Sequence, residues 1–107
     1  MDLTKKKCVP CEAGIPPLDA ATVAEYAKNI PDWTVVENRE LKREFKFKDF
    51  KGSMVFVIKV AEIAEHEGHH PDMCIFYNVV RLELSTHAIH GLSENDFILA
   101  AKIDALQ

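Results

Sequence analysis

All five histidines of this chain fall between His66 and His90. Imidazole is the side chain whose ordinary titration range brackets neutrality, so it is the natural group for giving and taking protons near pH 7. With Glu65, Tyr77 and Asp96 around them, the histidines form a candidate acid-base cluster. Apart from the literal motif that follows, His66 and His90 belong to no pattern and are read as surface or hydrogen-bonded histidines. One literal motif competes for the cluster. His66-Glu67-Gly68-His69-His70 spells His-Glu-x-x-His, which in zinc peptidases places two ligands one helical turn apart with the glutamate as base. Three features count against it. Gly68 weakens a helix at the centre of the motif, Pro71 follows the second ligand directly, and the chain is short for a protease cleft. The third ligand would have to be His87 or His90.

Cys8 and Cys11 form a second motif, Cys-x-x-Cys. It is compatible with half a zinc site or a redox pair, or with two incidental thiols in a flexible, proline-flanked segment. No second Cys-x-x-Cys follows, and Cys74 lies in a strand-like run, which favours the incidental reading.

The elements that must position these side chains are legible from periodicity and punctuation. Residues 1–17 read as an irregular arm, broken by Gly14, Pro16 and Pro17. Asp19 is a helix cap, with Ala20, Val23, Ala24 and Ala27 on one face, and Pro31 ends that helix. Trp33 to Glu37 is strand-like, with a turn at Asn38-Arg39. Leu41, Phe45 and Phe47 then alternate with Lys42, Glu44 and Lys46, the period of a half-buried strand, and only Arg43 departs from the apolar side. Asp49 caps a long helix from Phe50 to about Glu67, stopped by Gly68 and Pro71. Cys74 to Phe76 and Val79 to Thr86 make a second hairpin around Tyr77-Asn78. Ser93-x-x-Asp96 opens a last helix that runs on through Phe97 and Ile98 to Leu106. Helix, hairpin, helix, hairpin, helix predicts a single α+β domain over residues 1–107: a four-stranded antiparallel sheet with about three helices on one face. In that arrangement His69 and His70 sit at the negative end of the long helix, which favours an imidazolium. His87 ends the last strand, where sites form.

Composition closes off other classes. The formal net charge is −4 and no basic stripe exists beyond Lys5-Lys6-Lys7, which argues against binding nucleic acid through its phosphates. Cys8-Val9-Pro10-Cys11-Glu12 is no signal-peptide core, and Met54 to Ile58 is far too short to span a membrane. The expectation is a cytoplasmic protein with reduced thiols.

Glu65-x3-His69-His70-Pro71, followed after five residues by Tyr77, after nine more by His87 and after eight more by Asp96, resembles the signature of the pterin-4a-carbinolamine dehydratase family. Phe47-Lys48-Asp49-Phe50, Leu84-Ser85-Thr86-His87, Gly91-Leu92-Ser93-x-x-Asp96, Cys8-Val9-Pro10-Cys11-Glu12 and Pro16-Pro17-Leu18 extend the resemblance over almost the whole chain. One departure is Gly68, where members often carry Asn or Asp. The resemblance implies dehydration of 4a-hydroxytetrahydrobiopterin to the quinonoid dihydropterin, which recycles the pterin of aromatic amino acid hydroxylases. That chemistry calls for no metal and no organic cofactor. His69 and His87 are implied as general acids and His70 as the residue that binds and orients the substrate. Glu65, Ser85, Thr86, Asp96 and Tyr77 are candidate substrate-binding residues. Of these, Glu65 and Asp96 would orient imidazoles, Ser85 and Thr86 would hydrogen-bond the pterin rim, and Tyr77 would wall the pocket. The resemblance also implies a homodimer or homotetramer, and it keeps open a role as dimerisation partner of a transcription factor.

Overall fold

The structure, a computed structural model, describes residues 2–10 and 14–107. Cys11 and Glu12 lie outside the described residues, so the Cys-x-x-Cys pair is described only at Cys8. Helix α1 (Ala20–Ala27) precedes strands β1 (Thr34–Val36) and β2 (Glu40–Lys46). Helix α2 (Phe50–Glu67) leads to β3 (Asp72–Phe76) and β4 (Val79–Leu84), and α3 (Glu94–Asp104) completes the order. Short 3-10 turns cover Leu3–Lys5 and His87–Ile89. The four strands form one antiparallel sheet in the order β1-β2-β4-β3, the predicted α+β architecture.

Each helix begins where a side chain can satisfy the open backbone donors of its first turn. The Asp19 carboxylate accepts from Thr22 N–H and that of Asp49 from Gly52 N–H, both at 2.8 Å. The alternation in β2 and β4 puts Leu41, Phe45, Val80, Leu82 and Leu84 on one face, all buried. Phe56, Val60, Phe97, Ile98 and Ile103 of α2 and α3 join them in one core. The other face carries Lys42, Glu44, Arg81 and Glu83.

Arg43, the break in the β2 alternation, has a structural explanation. It projects on the core side, where its Nη1 donates to Asp104 Oδ1 at 2.6 Å. The same oxygen accepts Trp33 Nε1–H at 2.8 Å, and the guanidinium lies 4.3 Å from the Phe45 ring centroid. An arginine on the apolar side is tolerated because a carboxylate and an aromatic face receive it.

Three local expectations shift. The first hairpin turns at Glu37 and Asn38, both with positive φ, rather than at Asn38-Arg39. Two consecutive left-handed residues give a turn whose twist matches that of the strands. Strand β4 ends at Leu84 rather than Thr86, and Thr86 instead bridges to Gly91 across a tight loop. Within the arm, Leu3 is 2% exposed and belongs to the core.

Candidate functional site

The long helix delivers two of the predicted histidines by ending where it does. Gly68 adopts φ 68°, and the Ala64 carbonyl accepts both its N–H and that of His69, closing the helix with a left-handed cap. Asn and Asp, the residues that the resemblance implies at this position, tolerate this region better than other residues with a Cβ, so Gly68 keeps the same turn. The cap swings His69 away from the helix axis and toward the start of α3.

There His69 meets a buried carboxylate. Its Nε2 lies 2.6 Å from Asp96 Oδ1, and the Asp96 side chain has no solvent exposure. Asp96 Oδ2 accepts the Thr86 hydroxyl at 2.7 Å and the Ser93 backbone N–H at 3.0 Å. With three donors converging, Asp96 serves as an acceptor throughout, so His69 donates from Nε2 and its Nδ1 is left for other chemistry. The Thr86 proton is committed to Asp96. The 2.8 Å contact between Thr86 Oγ1 and Ser93 Oγ therefore has Ser93 as donor. Asp96 thus has two duties: it holds the N–H of the helix-capping Ser93 and it orients an imidazole.

His87 follows Thr86 directly and opens the 3-10 turn. The loop that carries it is pinned from below. Thr86 N–H donates to the Gly91 carbonyl at 2.8 Å, and Leu18 N–H donates to the Leu92 carbonyl at 2.9 Å. A Cβ on Gly91 would lie 2.6 Å from Pro17 Cβ, so only glycine allows this close approach.

The remaining predicted residues lie around this centre to different degrees. His70 donates from Nε2 to Glu65 Oε2 at 2.5 Å, an exposed pair at the end of α2 and separate from the Asp96 network. Ser85 is half-buried in the link between β4 and Thr86. Tyr77 is not brought to the cluster. It occupies the β3–β4 turn with φ 52°, is 65% exposed, and stacks on Phe50 at 6.3 Å. His69 and Thr86 lie at the opposite end of that hairpin, about 17–20 Å away for strands of this length.

The literal His-Glu-x-x-His pattern does not assemble. The helix stops at Glu67, so His66 and His70 are not successive turns of one helix. The Glu67 side chain, 3% exposed, is taken up by Lys102 Nζ at 2.7 Å and by Cys8 N–H at 2.9 Å. Burial pushes the Glu67 carboxyl up, but these two donors and the lysine charge outweigh it and hold it below the usual glutamate range. Among the described residues, no three His, Cys, Asp or Glu side chains group as metal ligands do.

Sequence reasoning missed the part played by Glu67 and Asn95. The Asn95 side chain, on a buried residue, accepts Val9 N–H at 3.0 Å and donates to the Val9 carbonyl at 2.5 Å. The pattern carried no signal for these contacts, because a tether between an arm and a helix has no period. Cys8 is likewise held, its Sγ 3.6 Å from the Asn95 carbonyl. Burial, followed by the Glu67 charge, pushes its thiol up to about 12. That environment opposes a redox or zinc thiolate. Alkylation of the reduced protein at pH 8, followed by mass spectrometry, should find Cys8 modified at least about tenfold more slowly than an ordinary thiol, since a rise from 9.0 to about 12 depletes the thiolate and the greater nucleophilicity of a high-pKa thiolate offsets only part of that. A rate at Cys8 equal to that of a free thiol would contradict this burial.

A cavity of about 570 Å³ opens between the arm and the facing flanks of α2 and α3, lined by Lys5, Lys7, Glu62, His66 and Lys102 among others. His69, His70 and His87 do not line it. No helix among the described residues is long and apolar enough to cross a membrane.

Comparison with known proteins gives this geometry a context. The family described as pterin 4 alpha carbinolamine dehydratase matches residues 16–106. Relatives provisionally named pterin-4-alpha-carbinolamine dehydratase include one from Rubrobacter xylanophilus, 42% identical over 98% of both chains. Another, from Nitrosomonas eutropha, is 48% identical over 98% of this chain and 93% of its own. A solved structure from Brucella melitensis, described as a transcriptional coactivator/pterin dehydratase, superposes with a TM-score of 0.79 at 34% identity, covering 84% of this chain and 97% of its own. The match spans both the helix that ends just before His69 and the helix that carries Asp96, and the chain belongs to the pterin 4 alpha carbinolamine dehydratase family.

Proposed function

We propose that this protein dehydrates 4a-hydroxytetrahydrobiopterin to quinonoid dihydrobiopterin, with histidines as acid and base, and so supports tetrahydrobiopterin recycling. The observation that carries the reading is the buried Asp96 carboxylate, bonded at once to His69, Thr86 and Ser93. A carboxylate in that position fixes the imidazole tautomer and stabilises its cation, as a proton-transfer site requires. The reaction breaks the bond from C4a to its hydroxyl oxygen. One proton goes to that oxygen, which departs as water, and one proton leaves a ring nitrogen. His69 acts through Nδ1, since its Nε2 is engaged by Asp96. His87 supplies the second imidazole, and His70 with Glu65 holds the substrate at the exposed edge. Ser85 contributes backbone hydrogen bonds to the pterin rim.

The test is direct. Purified protein is mixed with freshly generated 4a-hydroxytetrahydropterin, and quinonoid product is followed by absorbance with and without a chelator. Acceleration well above the spontaneous rate, unchanged by chelator, is expected. A rate equal to the spontaneous one removes the reading.

The same reading includes self-association as a homodimer or homotetramer in the cytoplasm. Among the described residues the β3 edge is unpaired, Phe76 and the adjoining turn residue Tyr77 are exposed, and α2 exposes Phe50, Val55 and Ile58. A second role, as partner of a transcription factor, is favoured only by the pair of functions named for the Brucella melitensis structure. It predicts a complex that survives loss of His69, whereas catalysis does not.

A further inference from the structure

The N-terminal arm lies ahead of the segment matched to the family, yet it is bonded to both elements that form the His69–Asp96 pair. At one end, Cys8 N–H donates to Glu67, the last residue of α2 and two positions before His69. At the other, Asn95, immediately before Asp96, grips Val9 through both its amide atoms. Lys6 Nζ reaches Glu94 Oε2 at 2.8 Å, an oxygen that also accepts the Tyr26 hydroxyl at 2.6 Å. Leu3, buried in the core, anchors the start of the arm. Backbone groups of residues 8 and 9 thus bridge the end of one helix to the start of another.

We infer that residues 3–9 form a strap that sets the His69–Asp96 distance, with Asn95 as the positioning residue that clasps it. Asn95 acts through its bonds to Val9 of the arm rather than on the substrate. Its amide holds the arm by a two-point clamp with the geometry of a strand pair, and the arm in turn holds the terminus of α2. Release at Val9 removes the strap's link between the first turn of α3 and the end of α2, leaving the Lys102–Glu67 pair and the core packing to hold the two helices. A displacement of about 1 Å is enough to lower a positioned reaction by up to about 10²-fold.

The experiment uses two variants of the full chain. Asn95→Ala removes both amide bonds. Val9→Pro removes only the N–H bonded to Asn95; Val9 already precedes Pro10 and is therefore confined to the extended region where proline fits, and its side chain makes no core contact. The first readout is proton NMR of the His69 ring N–H, assigned with His69→Ala. Donated to a buried carboxylate, this proton should exchange slowly with water in the wild type. In both variants exchange should quicken at least about tenfold, through the loosened pair. The second readout rests on the dehydratase reading: kcat should fall about tenfold while KM moves less than about twofold. Faster exchange in protein that lacks dehydratase activity would leave the strap standing and remove the functional reading. If the arm contributes only stability, the melting temperature falls while ring exchange and kcat stay at wild-type values, and the inference is overturned.

Discussion

His69→Ala is expected to lower dehydratase turnover by about 10²–10⁴-fold, the range for loss of one positioned acid-base group. Asp96→Asn should cost about 10²-fold or more while the protein stays folded, and the reason lies in its donors. An amide at position 96 offers one oxygen and one NH₂ where Asp96 offers two oxygens to His69, Thr86 and Ser93. The NH₂ cannot face Ser93 N–H, since two buried donors in opposition cost about 1–3 kcal/mol. It therefore turns toward His69, which adapts by moving its own proton from Nε2 to Nδ1. The ring then presents the same Nδ1 to the substrate, but already protonated in a neutral ring and unable to accept a proton, and it lacks the carboxylate that stabilised its cation. Steady-state kinetics of both variants, with melting curves on the same samples, separate this from unfolding. Full activity in Asp96→Asn would show that the tautomer of His69 has no part in the reaction.

Phe97→Ala should have the largest effect on stability. Phe97 has no solvent exposure, and its ring stacks on Tyr26 with centroids 5.2 Å apart. Truncating a buried phenylalanine typically costs about 3–5 kcal/mol, which includes the cavity left behind. Domains of this size hold about 5–15 kcal/mol in total, and each kcal/mol is worth about 4–8 °C in melting temperature. A fall of more than about 12 °C, followed by circular dichroism, is therefore expected. Phe97→Leu should recover most of it. A loss under about 1 kcal/mol in Phe97→Ala would mean that Phe97 is not packed in the core against Tyr26 as described. Position 97 also follows Asp96 directly, so the packing that stabilises the chain helps to seat the carboxylate that the strap aligns with His69.

Much of the architecture was legible because it is written in local chemistry. The two-residue alternation of Leu41, Phe45, Val80, Leu82 and Leu84 marked the inner face of the sheet, and Asp19, Asp49 and Ser93 marked three helix starts by their side-chain oxygens. Those signals involve neighbours a few positions apart, so a single chain displays them. The turn at Glu37-Asn38 was misplaced by one residue, because either pair can supply a left-handed conformation and only the strand register decides between them. Tyr77 was grouped with the cluster by its place in a motif, whereas hairpin geometry carries it to the far end of β3 and β4. Arg43 looked like an error in the pattern until Asp104, far along the chain, came to meet it.

By itself the sequence determined which residues could move protons, the helices and strands that carry them, and the family to which their spacing belongs. Only the tertiary structure decided how they are wired. His69 pairs with Asp96 across 27 positions, Thr86 and Ser93 complete the carboxylate, and Asn95 holds an arm 86 positions away. The physical reason is that a hydrogen bond between distant positions depends on where packed elements end, and periodicity records only which face of an element is buried.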